Sequence, residues 1–227
     1  MRTTGSPELL SVVIAVRDGE RFLGEAIESI LAQGYEPLEL VVVDDGSKDR
    51  SAEVARSCAP DARVVSQPPL GIGAAVNHGV ELTRGALLAF VDADDLWALD
   101  KLALQTPVLA ERRELDAVFG HVEHFAGDDR KTVTVASQPG YARGTMVIRR
   151  AAYDRVGPFS TEFRLAEFID WWGRAVDLGL ASLMLPDVCL LRRVHDTNLG
   201  VRMRNDRGDY VRVLKSALDR RRAASGE

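Results

Sequence analysis

Cysteine is nearly absent: Cys58 and Cys189 are the two in the 227-residue chain, and they do not form a CxxC pair. Neither a disulfide-stapled secreted scaffold nor a zinc site built on cysteine pairs is indicated, and a reducing cytoplasm fits. Long apolar runs are missing as well. Leu9 to Val16 is the most apolar early stretch, far short of the roughly 20 residues a spanning helix needs. The Arg17-Asp18-Gly19-Glu20 just after it is no signal-peptidase site. A protein without a transmembrane segment is expected, in the cytoplasm or peripheral to a membrane. Excess positive charge is lacking too: 29 Lys and Arg stand against 34 Asp and Glu, a net charge of −5. A phosphate backbone is held by clustered cations, so a general nucleic-acid binder is disfavoured. There is no Walker A sequence. Gly71-Ile72-Gly73-Ala74-Ala75-Val76 superficially resembles a dinucleotide fingerprint, but it does not follow the first strand and Val76 fills the third small-residue position.

What is present is an ordinary globular composition, 46% hydrophobic and 28% charged, enough for one domain with a sizeable core. Short β-branched runs alternate with helix-like segments, the pattern of a parallel sheet covered by helices. Strands are expected at 11–16, 38–43, 63–66 and 87–91. Between them lie helices over about 22–31, 49–58 and 72–83, with Gly34 and Gly85 as stops. The apolar character of the first, second and fourth strands places helices on both sheet faces. A helix over 101–113 and a strand at 117–122 come next, and then the periodicity weakens. Further strands are expected near 132–136, 145–148 and 188–194, with helices at 167–178 and after Asp206.

Parallel strands point one way, so the residues just past their carboxyl ends gather along one edge, where open α/β folds bind ligands. Asp18, then Asp44 and Asp45, then Asp92, Asp94 and Asp95 sit at such ends. Carboxylates gathered together are costly unless a cation or hydrogen-bond donors offset them. In extended chain Asp92 and Asp94 face the same side, and such oxygens suit Mg²⁺ or Mn²⁺ with substrate phosphates. Asp94 or Asp95 capping the next helix is the plainer alternative. An EF-hand is excluded, because Trp97 and Ala103 occupy its glycine and bidentate-acid positions. Asp44-Asp45-Gly46-Ser47 is either a strand-to-helix turn or a nucleoside contact, since a carboxylate at a strand end accepts from a base N–H or a ribose hydroxyl.

Ser11-Val-Val-Ile-Ala-Val16, Val41-Val-Val-Asp-Asp-Gly-Ser47 and Phe90-Val-Asp-Ala-Asp-Asp-Leu-Trp97, in that order and spacing, resemble the family 2 glycosyltransferases with the GT-A fold. The resemblance is strong to about Trp97 and looser beyond. It implies an α/β fold with a Rossmann-like, mostly parallel sheet flanked by helices and a smaller acceptor-side region. Residues 1–125 would form the nucleotide-sugar-binding half, and 126–227 the acceptor-binding half with a C-terminal helix. It implies transfer of a sugar from a nucleotide-diphospho-sugar, a UDP-sugar by preference, to an acceptor hydroxyl with inversion. Val16, Arg17, Asp44, Asp45, Asp92, Ala93 and Asp94 would line the donor, with Asp94 on the metal and diphosphate. Members commonly carry an Arg just before Asn77. Here Val76 stands, leaving Arg84 or a later Arg to substitute.

The family usually places a Glu-Asp pair on a helix before an Arg, with the Asp as base. This chain reads Glu167-Phe168-Ile169-Asp170-Trp171-Trp172-Gly173-Arg174, so the acids are split. Three residues apart they still share a helical face, and Asp170 is slightly preferred over Glu167. A helix N-terminus that favours acids is the alternative. Of the adjacent Trp171 and Trp172, one belongs to the core and the other is free to stack on an acceptor. Arg192-Arg193-Val194-His195-Asp196-Thr197-Asn198 resembles a segment of many relatives. It suggests His195 in the metal shell or on phosphate and Arg193 near the diphosphate, with a structural histidine as the alternative. Arg202, Arg204 and Arg207 read as a solvated loop or a lid over the donor. The acceptor is left open among glycan, lipid-linked sugar, peptide and small molecule, as is a homo-oligomer. Rival readings are a nucleotide-sugar binding module and a sugar nucleotidyltransferase, whose glycine-rich basic loop is reduced here to Arg17 and Gly19. A processive synthase is disfavoured by the missing membrane spans and the missing Gln-x-x-Arg-Trp segment.

Overall fold

The computed structural model describes residues 7–127, 132–196 and 208–225. The first half runs β1 (Leu10–Val16), α1 (Leu23–Leu31), β2 (Leu38–Asp44), α2 (Ser51–Cys58), β3 (Arg63–Ser66), α3 (Ile72–Glu81) and β4 (Leu87–Asp92). The second half continues with β5 (Leu96–Trp97), α4 (Lys101–Glu111), β6 (Ala117–Ala126), β7 (Val133–Pro139), a 3₁₀ turn (Arg143–Thr145), β8 (Val147–Arg149), α5 (Arg150–Val156), α6 (Glu167–Asp177), β9 (Ser182–Val194) and α7 (Gly208–Ser225).

The strands form one sheet in the order β3-β2-β1-β4-β8-β6-β9-β5, with β7 paired to β6. β1 lies parallel between β2 and β4, and β2 parallel to β3. β8 is inserted antiparallel between β4 and β6. β6 and β9 are again parallel, so the sheet is mostly parallel.

Residues two apart on a strand face one side, and β1 divides its side chains accordingly. Leu10, Val12, Ile14 and Val16 pack with Leu23, Ile27 and Ile30 of α1 and Leu102 and Leu109 of α4. Val13 packs on the other face with Val76 and Val80 of α3, Phe159 and Trp171. Each such side chain gains roughly 1.5–3 kcal/mol from leaving water, which is why these strands read as continuous apolar runs. Gly34 takes a left-handed φ of 59° just beyond α1, as a helix stop requires.

Two elements went unread in the sequence: the two-residue β5, and α5, which succeeds β8 without a break. β9 is also longer than its expected 188–194. Its register against β6 jumps from Phe119↔Met184 to His121↔Val188. Pro186 falls in that jump, where a missing N–H costs no ladder bond. Gly120 faces the irregularity, and a Cβ there would stand 2.2 Å from Cys189 Sγ. Among the described residues no helix is long and apolar enough to cross a membrane.

Candidate active site

The carboxyl ends of β1, β2 and β4 meet on one rim, because Val16 pairs with Asp44 and Ala15 with Asp92 across β1. Neighbouring strands lie about 4.8 Å apart, so the two acids stand roughly 10 Å from each other with β1 between them. The loops beyond β1 and β2 are knitted by short hydrogen bonds. Asp18 N–H donates to Ser47 Oγ (2.9 Å), and Lys48 N–H to Asp18 Oδ1 (2.8 Å). Gly19 N–H donates to Ser51 Oγ (2.9 Å). Asp18 takes a φ of 52° to do so, a conformation that Asp tolerates better than most residues. Its carboxylate therefore serves the β2 loop.

Asp44 and Asp45 are both buried. Asp44 Oδ1 accepts from Ser47 N–H (2.9 Å) and its Oδ2 from Ser66 Oγ (3.3 Å). Asp45 holds the loop that opens α3: its oxygens accept from Leu70 N–H (2.8 Å), Gly71 N–H (2.9 Å) and Gln67 Nε2 (2.8 Å). Val16 contributes its carbonyl, which accepts from Asp45 N–H (2.8 Å), while Arg17 extends into solvent. Ala93 lies 3.6 Å from the place a Cβ on Gly19 would take, so the loops after β1 and β4 are in close contact.

The turn after β4 concentrates negative charge. Burial and then repulsion from Asp94 and Asp92 push the Asp95 carboxyl well above the usual range; Arg193 N–H donates to it (2.9 Å). Asp94 is raised by burial and by Asp92, opposed by His195, whose Nε2 lies 3.1 Å from Asp94 Oδ2. Loss of solvent at the rim penalises charge on Asp92, but the Arg143 guanidinium and then Arg192 outweigh this and hold it below the usual range.

Arg143 is the residue that the sequence concealed. It is 6% exposed and bonds two acids at once, Asp92 through Nη2 and Glu167 Oε1 through Nη1 (2.9 Å). Glu167 opens α6 and is itself buried. Burial raises its carboxyl above the usual range, and Arg143 opposes the rise. No sequence signal marked Arg143, which stands in a three-residue turn where periodicity is lost.

Asp170 shares the buried side of α6 with Glu167 yet enters a different network. Its Oδ2 accepts from Arg174 Nε (3.0 Å) and its Oδ1 from Arg220 Nη1 (3.1 Å) of α7. Arg193, expected near the diphosphate, is fully buried. Its guanidinium donates to the Asp94 carbonyl (3.1 Å), the Gly127 carbonyl (2.8 Å) and Glu25 Oε2 (3.0 Å). It is stacked between the rings of Phe22 and Phe125, 4.5 and 4.7 Å from their centroids. Fixed in this way, it braces the Asp94 backbone. Arg84, offered as a replacement for the missing family Arg, lies beside Glu39, which accepts from Gly85 N–H before β4. That is the edge opposite the acids. Val76 is packed in the core, and Asn77 accepts from Phe159 N–H (2.9 Å). Trp171 is the core tryptophan, its indole N–H donating to the Gly157 carbonyl (2.8 Å). Trp172 stacks on the half-exposed Tyr141, centroids 5.3 Å apart. Thr197, Asn198, Arg202, Arg204 and Arg207 lie outside the described residues.

Among the described residues no group of three His, Cys, Asp or Glu is placed to hold a metal ion by itself. The expected trio divides: Asp94 and His195 are paired, while Asp92 is engaged by Arg143. Hard divalent ions such as Mg²⁺ and Mn²⁺ are commonly held by one or two carboxylates plus substrate phosphates. The Asp94–His195 pair and the excess negative charge of the turn fit such an ion in chemistry.

Residues 11–166 match the family described as Glycosyl transferase family 2. An uncharacterized glycosyltransferase of Nostoc sp. is 37% identical over 135 residues, 58% of this chain and 41% of the relative. One of Rickettsia typhi is 27% identical over 214 residues, 86% of this chain and 66% of the relative. The chain thus spans under two thirds of the length of these relatives. Among solved structures, S. aureus TarS superposes over 92% of this chain and 64% of its own, with a TM-score of 0.72 at 18% identity. The mannosyltransferase PcManGT of Pyrobaculum calidifontis, in complex with GDP-Man and Mn²⁺, covers 94% and 65%, with a TM-score of 0.70 at 21% identity. At such identities the likeness speaks for the fold alone, which is that of the GT-A glycosyltransferases. With more than half of its length matched to the family and its acids on the rim of that fold, the chain belongs to glycosyl transferase family 2.

Proposed function

We propose that this chain transfers a sugar from a nucleotide-diphospho-sugar to an acceptor hydroxyl, with Glu167 as general base and inversion at the anomeric carbon. The observation that carries this reading is the pair of hydrogen bonds from the Arg143 guanidinium, which draws an acid from α6 to the acids at the end of β4. Glu167 is a better base than Asp170, because Asp170 is bound on both oxygens to guanidinium groups. A carboxyl raised by burial also lies closer to working pH, where general-base efficiency increases.

The acceptor oxygen bonds to the anomeric carbon as its proton passes to the Glu167 carboxylate, and the bond from that carbon to the diphosphate oxygen breaks. A single displacement of this kind inverts the configuration. Asp94 and His195 are the residues that would hold a divalent ion, which supplies charge neutralisation for the departing nucleoside diphosphate. Asp44 is offered to the base or ribose of the donor. TarS has been solved with UDP and with UDP-GlcNAc, and PcManGT with GDP-Man and Mn²⁺. These complexes support a nucleotide-sugar donor and a divalent ion, with a UDP-sugar first among the candidates.

A panel of UDP- and GDP-sugars, assayed for binding and for nucleotide release with Mn²⁺, Mg²⁺ or chelator, tests the proposal. Metal-stimulated release from at least one donor is expected. Tight donor binding with no release across a broad acceptor panel would instead make the chain a binding module.

A further inference from the structure

Beneath the turn that carries Arg143 lies a polar pair with no surface exposure: Lys101 and Gln105 of α4 are both 0% exposed. Lys101 Nζ donates to Gln105 Oε1 (2.6 Å) and to the Thr145 carbonyl (3.0 Å). Gln105 Nε2 donates to the same Thr145 carbonyl (2.8 Å) and to the Val118 carbonyl of β6 (3.0 Å). Two side chains of one helix thus converge on a single backbone oxygen, at the last residue of the 143–145 turn. From that residue the turn closes on itself: Thr145 N–H donates to the Ala142 carbonyl (3.2 Å), and Met146 N–H to the Arg143 carbonyl (3.1 Å).

The pair also reaches toward β4. Lys101 Nζ lies 5.1 Å from the ring centroid of Trp97, whose indole N–H donates to the Phe90 carbonyl (3.3 Å). Burying an ammonium is costly, and it pushes Lys101 down to about 7. An apolar residue would fill this place at lower cost. What the pair provides that an apolar residue cannot is a fixed address for the Thr145 carbonyl, since a fully satisfied buried network rigidifies what it binds.

We propose that Lys101 and Gln105 are positioning residues for the transfer reaction: by anchoring the Thr145 carbonyl they hold the 143–145 turn so that Arg143 meets Asp92 and Glu167 together. The kinetic consequence rests on the reading of Glu167 as the base; the structural one does not. Neither side chain needs to touch the donor or the acceptor.

The test compares the wild type with Lys101→Met/Gln105→Leu, which removes both partners and leaves no unpaired polar side chain behind. Hydrogen exchange of amides 143–149 should rise about tenfold, while that of β4 stays unchanged. This arm requires no turnover, so it decides the anchoring even if no donor is processed. With a working donor, kcat should fall about 10–100-fold while the donor KM changes less than about threefold. In an Arg143→Ala background the same pair of changes should cost nothing further, because both act through one guanidinium. Unchanged exchange in the turn, or a loss that multiplies with Arg143→Ala, overturns the proposal. If the double variant fails to fold, Gln105→Glu replaces it. That change keeps an acceptor for Lys101, removes the donors to Thr145 and Val118 and sets a carboxylate oxygen against both carbonyls, so exchange in the turn should still rise and kcat still fall.

Discussion

The loops beyond β1 and β2 and the corner where β4, the 143–145 turn and α6 meet both gather acids, but they neutralise them differently. In the loops, Asp18, Asp44 and Asp45 accept from backbone N–H groups and small side chains of neighbouring loops. At the corner, Asp92, Glu167 and Asp170 are held by guanidinium groups brought from residues 143, 174 and 220. Backbone donors fix a carboxylate's position with the fold itself. Guanidinium partners are separate side chains, and so the corner is where a single substitution changes the charge balance of the site.

The largest expected effect falls on Glu167→Gln. Gln still accepts from Arg143, so the fold should persist while transfer drops about 10²–10⁴-fold, the contribution of a general base. Single-turnover transfer with unchanged donor affinity checks it, and near-normal turnover would remove Glu167 from its role.

Asp170→Asn should invert that outcome. It weakens the pairs to Arg174 and Arg220, which are partly exposed, at a cost of about 2 kcal/mol in stability, less than for a fully buried pair. The folded fraction should retain kcat within a few-fold. Urea unfolding alongside initial rates separates the two acids of α6, and a large loss of kcat at unchanged stability would restore Asp170 as the base.

An effect of similar size on stability, with none expected on the chemical step, sharpens the contrast in dryness. Lys101 falls from 10.5 to about 7 in the folded chain through burial. Between those values the unfolded chain binds a proton that the folded chain does not, so this residue makes stability rise with pH above about 7. The slope is at most about 1.4 kcal/mol per pH unit. Urea midpoints at pH 7, 8 and 9 should rise in the wild type relative to Lys101→Met; parallel curves would mean that water reaches the ammonium.

Much of the fold was legible because its signals are local. The apolar runs of β1, β2 and β4 and the period of α1 come from burial on two faces, and the acids at the strand ends come together through parallel direction. Legibility ended where partners are distant. Lys101 marked no more than the start of a helix, because burial by β6 and the 143–145 turn leaves no trace in its own neighbourhood. Pro186 lies before the expected 188–194 strand, yet β9 runs through it, because a register shift across β6 accommodates it.

The sequence by itself determined the order of strands and helices from β1 to β4, the family, and the clustering of Asp44, Asp92 and Asp94 on one rim, because periodicity and strand polarity are properties of short segments. Only the tertiary structure decided that Glu167 and Asp170 belong to separate networks, that Arg193 is a brace, and that Arg143 joins α6 to β4. Each of those outcomes depends on which charged groups are buried side by side, and charges interact through space without regard to their separation along the chain.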